Sequence, residues 1–177
     1  MCAASWTRKS GEQPKHLLTL DGNSRLEQKI QPPVFNGGYS GYITKGEMMK
    51  YRVPGLLESY QQQGFTVYHH PFPDGSVPDI ASCWKILEEL RICLENEKRI
   101  LIQCYGGLGR SCLIAACLLL QLSDTILPED AIGHLRELRG AAAIQTVKQY
   151  NYLYDFRDNV ATYLATKEDA AARSVSR

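Results

Sequence analysis

The chain carries almost no net charge: 20 Lys and Arg against 19 Asp and Glu leave +1. Nothing global therefore draws it to nucleic acid or to an anionic membrane surface. It also lacks a long apolar run, since the longest, Cys112–Leu120, is too short to cross a bilayer. The opening residues, Met1 to Ser10, contain no apolar core of a secretory leader. Cys2, Cys83, Cys93, Cys104, Cys112 and Cys117 form no C-x-x-C pair and no Cys/His metal spacing. No metal and no other cofactor is predicted, and the thiols suit a reducing compartment, so the expectation is a cytosolic or nuclear protein. Internal repeats are absent. Over residues 1–43 no helical or strand period is sustained, only His16–Leu20 hints at a strand, and disorder or irregular structure is expected there.

What is present is one stretch, Arg99-Ile-Leu-Ile-Gln103-Cys104-Tyr105-Gly106-Gly107-Leu108-Gly109-Arg110-Ser111. Its apolar start reads as a buried strand, and Cys112 to Leu122 reads as a buried helix. A glycine-rich loop between strand and helix makes an anion cradle, because backbone N–H groups converge and the helix dipole favours negative charge. Gly106, Gly107 and Gly109 allow the positive φ and close backbone approach that such a loop needs. Arg110 adds a planar fork able to hold two phosphate oxygens, so Tyr105, Gly106, Gly107, Leu108, Gly109 and Arg110 form the expected phosphate-binding loop. A nucleotide P-loop is excluded: Cys104 stands where its first glycine belongs and Arg110 where its lysine belongs.

Cys104 at the floor of this cradle turns binding into chemistry. N–H dipoles, an arginine and a helix N-terminus are expected to hold its thiol as the nucleophilic thiolate. The thiolate can attack phosphorus and carry a phosphocysteine, with Ser111 donating its hydroxyl to the sulfur as it leaves. C-x5-R alone is a weak pattern, but Cys-x-x-Gly-x-Gly-Arg-Ser between an apolar strand and an apolar helix is rare.

The leaving oxygen needs an acid, preferably on a loop that can close over substrate. Asp74, in Phe72-Pro73-Asp74-Gly75 and thirty residues before Cys104, is the first choice. Asp79 is the rival, but it directly precedes a helical pattern through Ile80, Cys83, Trp84, Leu87, Leu90 and Leu94, and N-capping accounts for it. In Gln145-Thr146-Val147-Lys148-Gln149, Gln145 is chosen to orient the water that releases phosphate, with Gln149 behind it. His69 and His70 are expected to face core and solvent in alternation. Lys45, Lys50 and Arg52 are expected to form a solvated basic face.

The remaining pattern predicts helical segments over Glu47–Gln62 broken near Pro54-Gly55, Gly64 as their stop, and a strand at Phe65–His70. Further helices are expected from Pro128 to Gly140 and from Val147 to Leu164, then a frayed polar tail over Ala165–Arg177.

Cys104–Ser111, the upstream Asp74 and the downstream Gln-Thr-x-x-Gln together resemble the cysteine-based protein phosphatases of the dual-specificity type. Lys50-Tyr-Arg-Val-Pro54, Tyr60-Gln-Gln, His69-His-Pro71, Pro78-Asp-Ile-Ala-Ser-Cys83 and the nucleophile loop narrow the likeness to the branch directed at cyclin-dependent kinases. The resemblance implies an α/β fold with a mixed central sheet flanked by helices. It also implies hydrolysis of phosphoserine, phosphothreonine and phosphotyrosine, and removal of the activating phosphothreonine from a cyclin-dependent kinase not bound to cyclin. A cytoplasmic, perinuclear or nuclear site follows from the same likeness, as does the absence of a metal. Two departures stand out. Gln103 occupies the place of the family's histidine before the nucleophile, which predicts a less activated thiol. Residues 1–43 do not match the family's N-terminal strands and helix, with Gly38–Thr44 expected to keep at most a fragment of one strand, so a phosphatase domain over 44–164 with N-terminal strands missing, and an uncovered sheet edge, is expected. The alternative is a catalytically weak or inactive kinase-binding module. A lipid or RNA phosphatase is disfavoured, because the loop residues Tyr105, Gly107 and Leu108 carry no charge for a polyanion.

Overall fold

Three parallel strands end side by side, and each hands a chemically distinct loop to one edge of the molecule. The structure is a computed structural model and describes residues 18–20, 26–27 and 37–175. Strand β3 (Gly37–Gly41) leads to helices α1 (Lys45–Lys50) and α2 (Leu56–Gln62). β4 (Thr66–His69) leads through a proline-rich loop to α3 (Ile80–Glu95), and β5 (Arg99–Gln103) leads through the cradle to α4 (Arg110–Leu122). Helices α5 (Pro128–Arg139), α6 (Val147–Tyr154) and α7 (Phe156–Val175) complete the chain.

β3 lies between β4 and β5, parallel to both, with Gly41 level with His69 and Gln103. On the far side of β5 sits β1 (Leu18–Leu20), antiparallel, followed by β2 (Leu26–Glu27), giving the order β2-β1-β5-β3-β4. Two expectations change here. The chain enters the sheet at Gly37, ahead of residue 44, and Tyr39, Ser40, Tyr42 and Ile43 are buried. The outer edge of β5 is paired by β1, so strands from within the first 43 residues take the place expected to be empty. Cys2 and the rest of that segment lie outside the described residues.

Alternation along β5 splits the sheet into two covered faces. Ile100, Ile102 and Cys104 point into the main core with Tyr42, Phe72, Leu87, Leu90 and the whole of α4 from Cys112 to Leu120. The opposite face carries Tyr39, whose ring stacks on Tyr60 of α2 at 4.2 Å, with Phe65 edge-on to Tyr60. Helix α4 is buried all round because α3, α5, α6, α7 and the sheet each take part of its surface, as a helix without a polar face requires. Cys83, Cys93, Cys104, Cys112 and Cys117 are buried and free.

The local signals behave as expected at the stop of α2, where Gly64 takes φ +86, and at the start of α3, where Asp79 caps Ser82. The C-terminal helix departs from expectation twice. It breaks at Asp155, and that bend brings Phe156 into the core and Arg157 Nη2 to the last carbonyls of α4 and the turn beyond it, Leu120, Ser123 and Ile126. It also continues to Val175 instead of fraying after Leu164, in keeping with an Ala- and charge-rich segment of high helix propensity. His69 and His70 are both half-buried with partners, Ile43 O and Glu89 Oε2, instead of alternating between core and solvent. Lys45, Lys50 and Arg52 are exposed.

Candidate active site

The site forms beyond the carboxyl ends of β3, β4 and β5, where parallel sheets place their ligands. From β5 comes Cys104, buried beneath the loop. Its Sγ receives the Gly107 N–H at 3.2 Å and lies 3.3 Å from Ser111 Oγ. Gly107 has φ +67, the left-handed conformation that aims its N–H inward. Of the three loop glycines it alone uses positive φ. Gly109 (φ −93) serves close approach instead: a Cβ there would lie 2.6 Å from Gln145 Oε1 and 3.3 Å from Gln149 Nε2, so these amide ends could not keep their places against the loop. The Gly107 carbonyl is tied from behind by Cys112 Sγ and Arg139 Nη2. Burial pushes the Cys112 thiol up to about 12, so it stays protonated and donates.

Arg110 opens α4 with its side chain fully buried. The end of its fork is taken by protein: Nη2 and Nη1 grip Glu47 Oε1 and Oε2 at 2.6 and 2.9 Å, and Nη1 also reaches Tyr42 O and Phe72 O. The side-on edge, Nε with the outer N–H of Nη2, is what a phosphate would meet. Nε lies 3.1 Å from Asp74 Oδ1 but off line for a hydrogen bond. The expected two-oxygen clamp is thus confined to one edge of the guanidinium, the other being spent on fixing it.

Glu47, from the β3 side, escaped the sequence reading. Thr44-x-x-Glu47 is a capping box at the start of α1, with Thr44 N and Oγ1 both donating to Oε2. The sequence pattern could have located that helix start, but not the ion pair to a residue 63 positions away. Partial burial opposes the charge on Glu47, yet the Arg110 and Thr44 hydrogen bonds outweigh it and bring the carboxyl down to about 2. The same residues that cap a helix therefore orient the arginine.

Asp74, from the β4 side, sits at an exposed turn (59 % exposed side chain) closed by Ser76 N–H to Pro73 O, with Gly75 at φ +70. Asp79 is not beside it functionally: both its oxygens accept from Ser82, which holds its carboxyl below the usual range. Gln145 lies at the rim against Gly109, and its N–H donates to the buried Gln149 Oε1 at 3.0 Å. Just before it, Ile144 is held at φ +62 with its N–H on Leu108 O. A β-branched residue there costs on the order of 1–3 kcal/mol, and the 2.9 Å bond to Leu108 O, which ties the segment carrying Gln145 to the cradle, helps to hold it there. Tyr105, 41 % exposed at the mouth, stacks on Tyr51 at 4.1 Å. Gln103 turns to the opposite face, where its Oε1 accepts from Tyr60 OH at 3.1 Å.

A sheet of this order with the cradle between β5 and α4 defines the dual-specificity phosphatase-like fold. A solved kinase-associated phosphatase, in a form whose catalytic-site cysteine is replaced by serine, is 47% identical with a TM-score of 0.74, covering 85% of this chain and 98% of that one. Tk-PTP in its active form, at 24% identity and TM-score 0.62 over 70% of this chain and 80% of that one, shows the same fold. The family profile Cyclin-dependent kinase inhibitor 3 (CDKN3) matches residues 37–132, and the chain belongs to that family. The rat and human cyclin-dependent kinase inhibitor 3 proteins are each 62% identical over 136 residues, 77% of this chain and 64% of theirs. The chain thus spans just under two thirds of the length of those relatives.

Proposed function

We propose that this chain is a cysteine-dependent dual-specificity protein phosphatase acting on the activating phosphothreonine of a cyclin-dependent kinase, and so restraining the cell cycle from the cytoplasm, perinuclear region or nucleus. The observation that carries the reading is the convergence of the Gly107 N–H and Ser111 Oγ on a buried Cys104 sulfur, with the free edge of Arg110 and the Asp74 carboxyl at the same opening.

In the first step the Cys104 sulfur attacks phosphorus, the S–P bond forms and the P–O bond to the substrate breaks. Arg110 and the loop N–H groups hold the equatorial oxygens, and Asp74 gives its proton to the departing oxygen. In the second, Gln145 orients a water, Asp74 takes its proton, oxygen bonds to phosphorus and the S–P bond breaks. Ser111 then donates to the released sulfur. The kinase substrate rests on membership of the cyclin-dependent kinase inhibitor 3 family and on likeness to a protein called kinase-associated.

A second reading, a kinase-binding module with weak turnover, is favoured by Gln103. A neutral amide held by Tyr60 supplies no charge behind the nucleophile. Acid-quenched mass spectrometry separates the two: turnover of 4-nitrophenyl phosphate should leave one phosphoryl group on the peptide containing Cys104. Its absence defeats the phosphocysteine mechanism. Hydrolysis of the aryl phosphate without dephosphorylation of a phosphorylated, cyclin-free kinase defeats the substrate assignment alone.

A further inference from the structure

The acid loop is not free. Thr146 Oγ1 donates to Gly75 O at 2.9 Å, Gln149 Nε2 donates to Ser76 O at 3.3 Å, and Lys148 Nζ reaches Ser76 Oγ at 3.1 Å. All these donors stand in the first turn of α6, the segment that carries Gln145, and the acceptors flank Asp74 on its C-terminal side. The packing is close as well: a Cβ on Gly75 would lie 3.3 Å from Thr146 Cγ2. Thr146 does two jobs with one oxygen, because it also accepts the Gln149 N–H as the cap of α6.

We infer that Thr146 is a positioning residue that latches the general-acid loop to the water-orienting segment, so that one contact serves both chemical steps. This rests on the phosphatase reading above. On the N-terminal side of Asp74 the loop is tied by Phe72 O on Arg110 Nη1, and the Asp74 carboxyl itself pairs with Arg110 Nε at 3.1 Å. Asp74 is thus suspended between an anchor on Arg110 and a latch on Thr146. Loss of the latch lets the carboxyl drift from the leaving oxygen while Cys104 and Arg110 stay in place. In kcat/KM, which reports the first step, the deficit should then appear with poor leaving groups, where a proton is needed, while the second step slows alike for every ester.

Thr146→Asp keeps a cap acceptor, suits the helix N-terminus, and cannot donate to Gly75 O when ionised. Thr146→Val removes the donor, and the cap acceptor with it, without adding charge, and Thr146→Ser retains donor and acceptor. Wild type and variants are to be compared on phenyl phosphate and 4-nitrophenyl phosphate. Thr146→Asp and Thr146→Val should lose about tenfold in kcat/KM on phenyl phosphate and less than about twofold on 4-nitrophenyl phosphate, a part of the effect general acids typically supply. Thr146→Ser should keep the wild-type ratio. A wild-type ratio in an active Thr146→Asp or Thr146→Val overturns the latch, as does a changed ratio in Thr146→Asp alone, which would be an effect of its charge. If the wild-type protein turns over neither ester, the phosphatase reading fails instead.

Discussion

The two sides of the site are built by different means. Cys104, Gly107, Arg110 and Ser111 belong to one continuous strand, loop and helix that is buried, with the sulfur bonded within it and Arg110 braced from outside by Glu47, Tyr42 O and Phe72 O. Asp74, Thr146 and Gln145 come from distant segments, lie nearer solvent, and meet through side-chain to backbone bonds spanning more than 70 residues of sequence. The nucleophile side owes its geometry to packing around α4. The acid side owes its geometry to a few hydrogen bonds that water can replace. Substitutions should therefore cost chemistry outright on the first side and act by degrees on the second.

The largest effect is expected at the sulfur. Cys104→Ser should lower kcat for 4-nitrophenyl phosphate by more than about a thousandfold, since an unactivated hydroxyl is a poor nucleophile. Phosphate should still inhibit alkylation of wild-type Cys104 and still bind the variant, because the N–H groups and Arg110 are untouched. Substantial retained turnover would remove the nucleophile from the first side and end the comparison.

Next comes Asp74→Asn, with a loss of about a hundredfold in kcat/KM on phenyl phosphate and much less on 4-nitrophenyl phosphate. The amide cannot supply the proton, and the better leaving group scarcely needs it. Equal losses on both esters would show that Asp74 supports the fold or the arginine rather than the proton transfer.

These two predictions also mark how far the sequence could be read. Strand, glycine loop, cysteine and arginine are adjacent, so periodicity and spacing revealed them together, as did the cap at Asp79 and the stop at Gly64. Asp74 and Gln145 were legible as residue types in suitable turns, but not the contact between their segments, which depends on where α6 docks. Glu47 was hidden because its pattern reads as a helix cap while its energetic partner lies across the sheet. Of the N-terminal strands, β1 was hinted at by His16–Leu20, whereas β3 was only faintly legible because Gly37-Gly-Tyr-Ser-Gly41 has no apolar alternation. Its small residues are explained by close neighbours instead, such as Cys93 Sγ at 3.2 Å from a Cβ on Gly38.

Glu47 braces the nucleophile side from outside it, since it orients Arg110 from the β3 loop, and it predicts a pH signature. Its folded carboxyl, at about 2, titrates below its ordinary value of 4.5. A group depressed on folding binds fewer protons in the native state, so its stabilisation is full above about 4.5 and is lost as pH falls through about 2. Glu47→Gln should therefore be less stable than wild type at pH 7, and the gap should narrow as the pH is lowered from 4.5 towards 2. Urea melts at several pH values measure this. A gap that stays constant with pH would mean that the charge on Glu47 is not what holds Arg110.

The smallest effect, and the sharpest control for the acid side, is expected at Asp79. It sits in a Pro-Asp pair like Asp74, but both its oxygens are committed to Ser82 N and Oγ at the start of α3. Asp79→Ala removes that cap, which costs about 0.5–2 kcal/mol. For a chain of this size that is a fall of roughly 2–6 °C in melting temperature. The kcat/KM ratio between phenyl and 4-nitrophenyl phosphate should stay at the wild-type value, because the cap does not touch the turn that carries Asp74. The pair of variants thus dissociates the two aspartates: one should change leaving-group dependence without much change in melting, the other melting without change in leaving-group dependence. If Asp79→Ala alters the ester ratio while Asp74→Asn does not, the proton donor lies at the helix cap and the latch on Gly75 serves a different loop position.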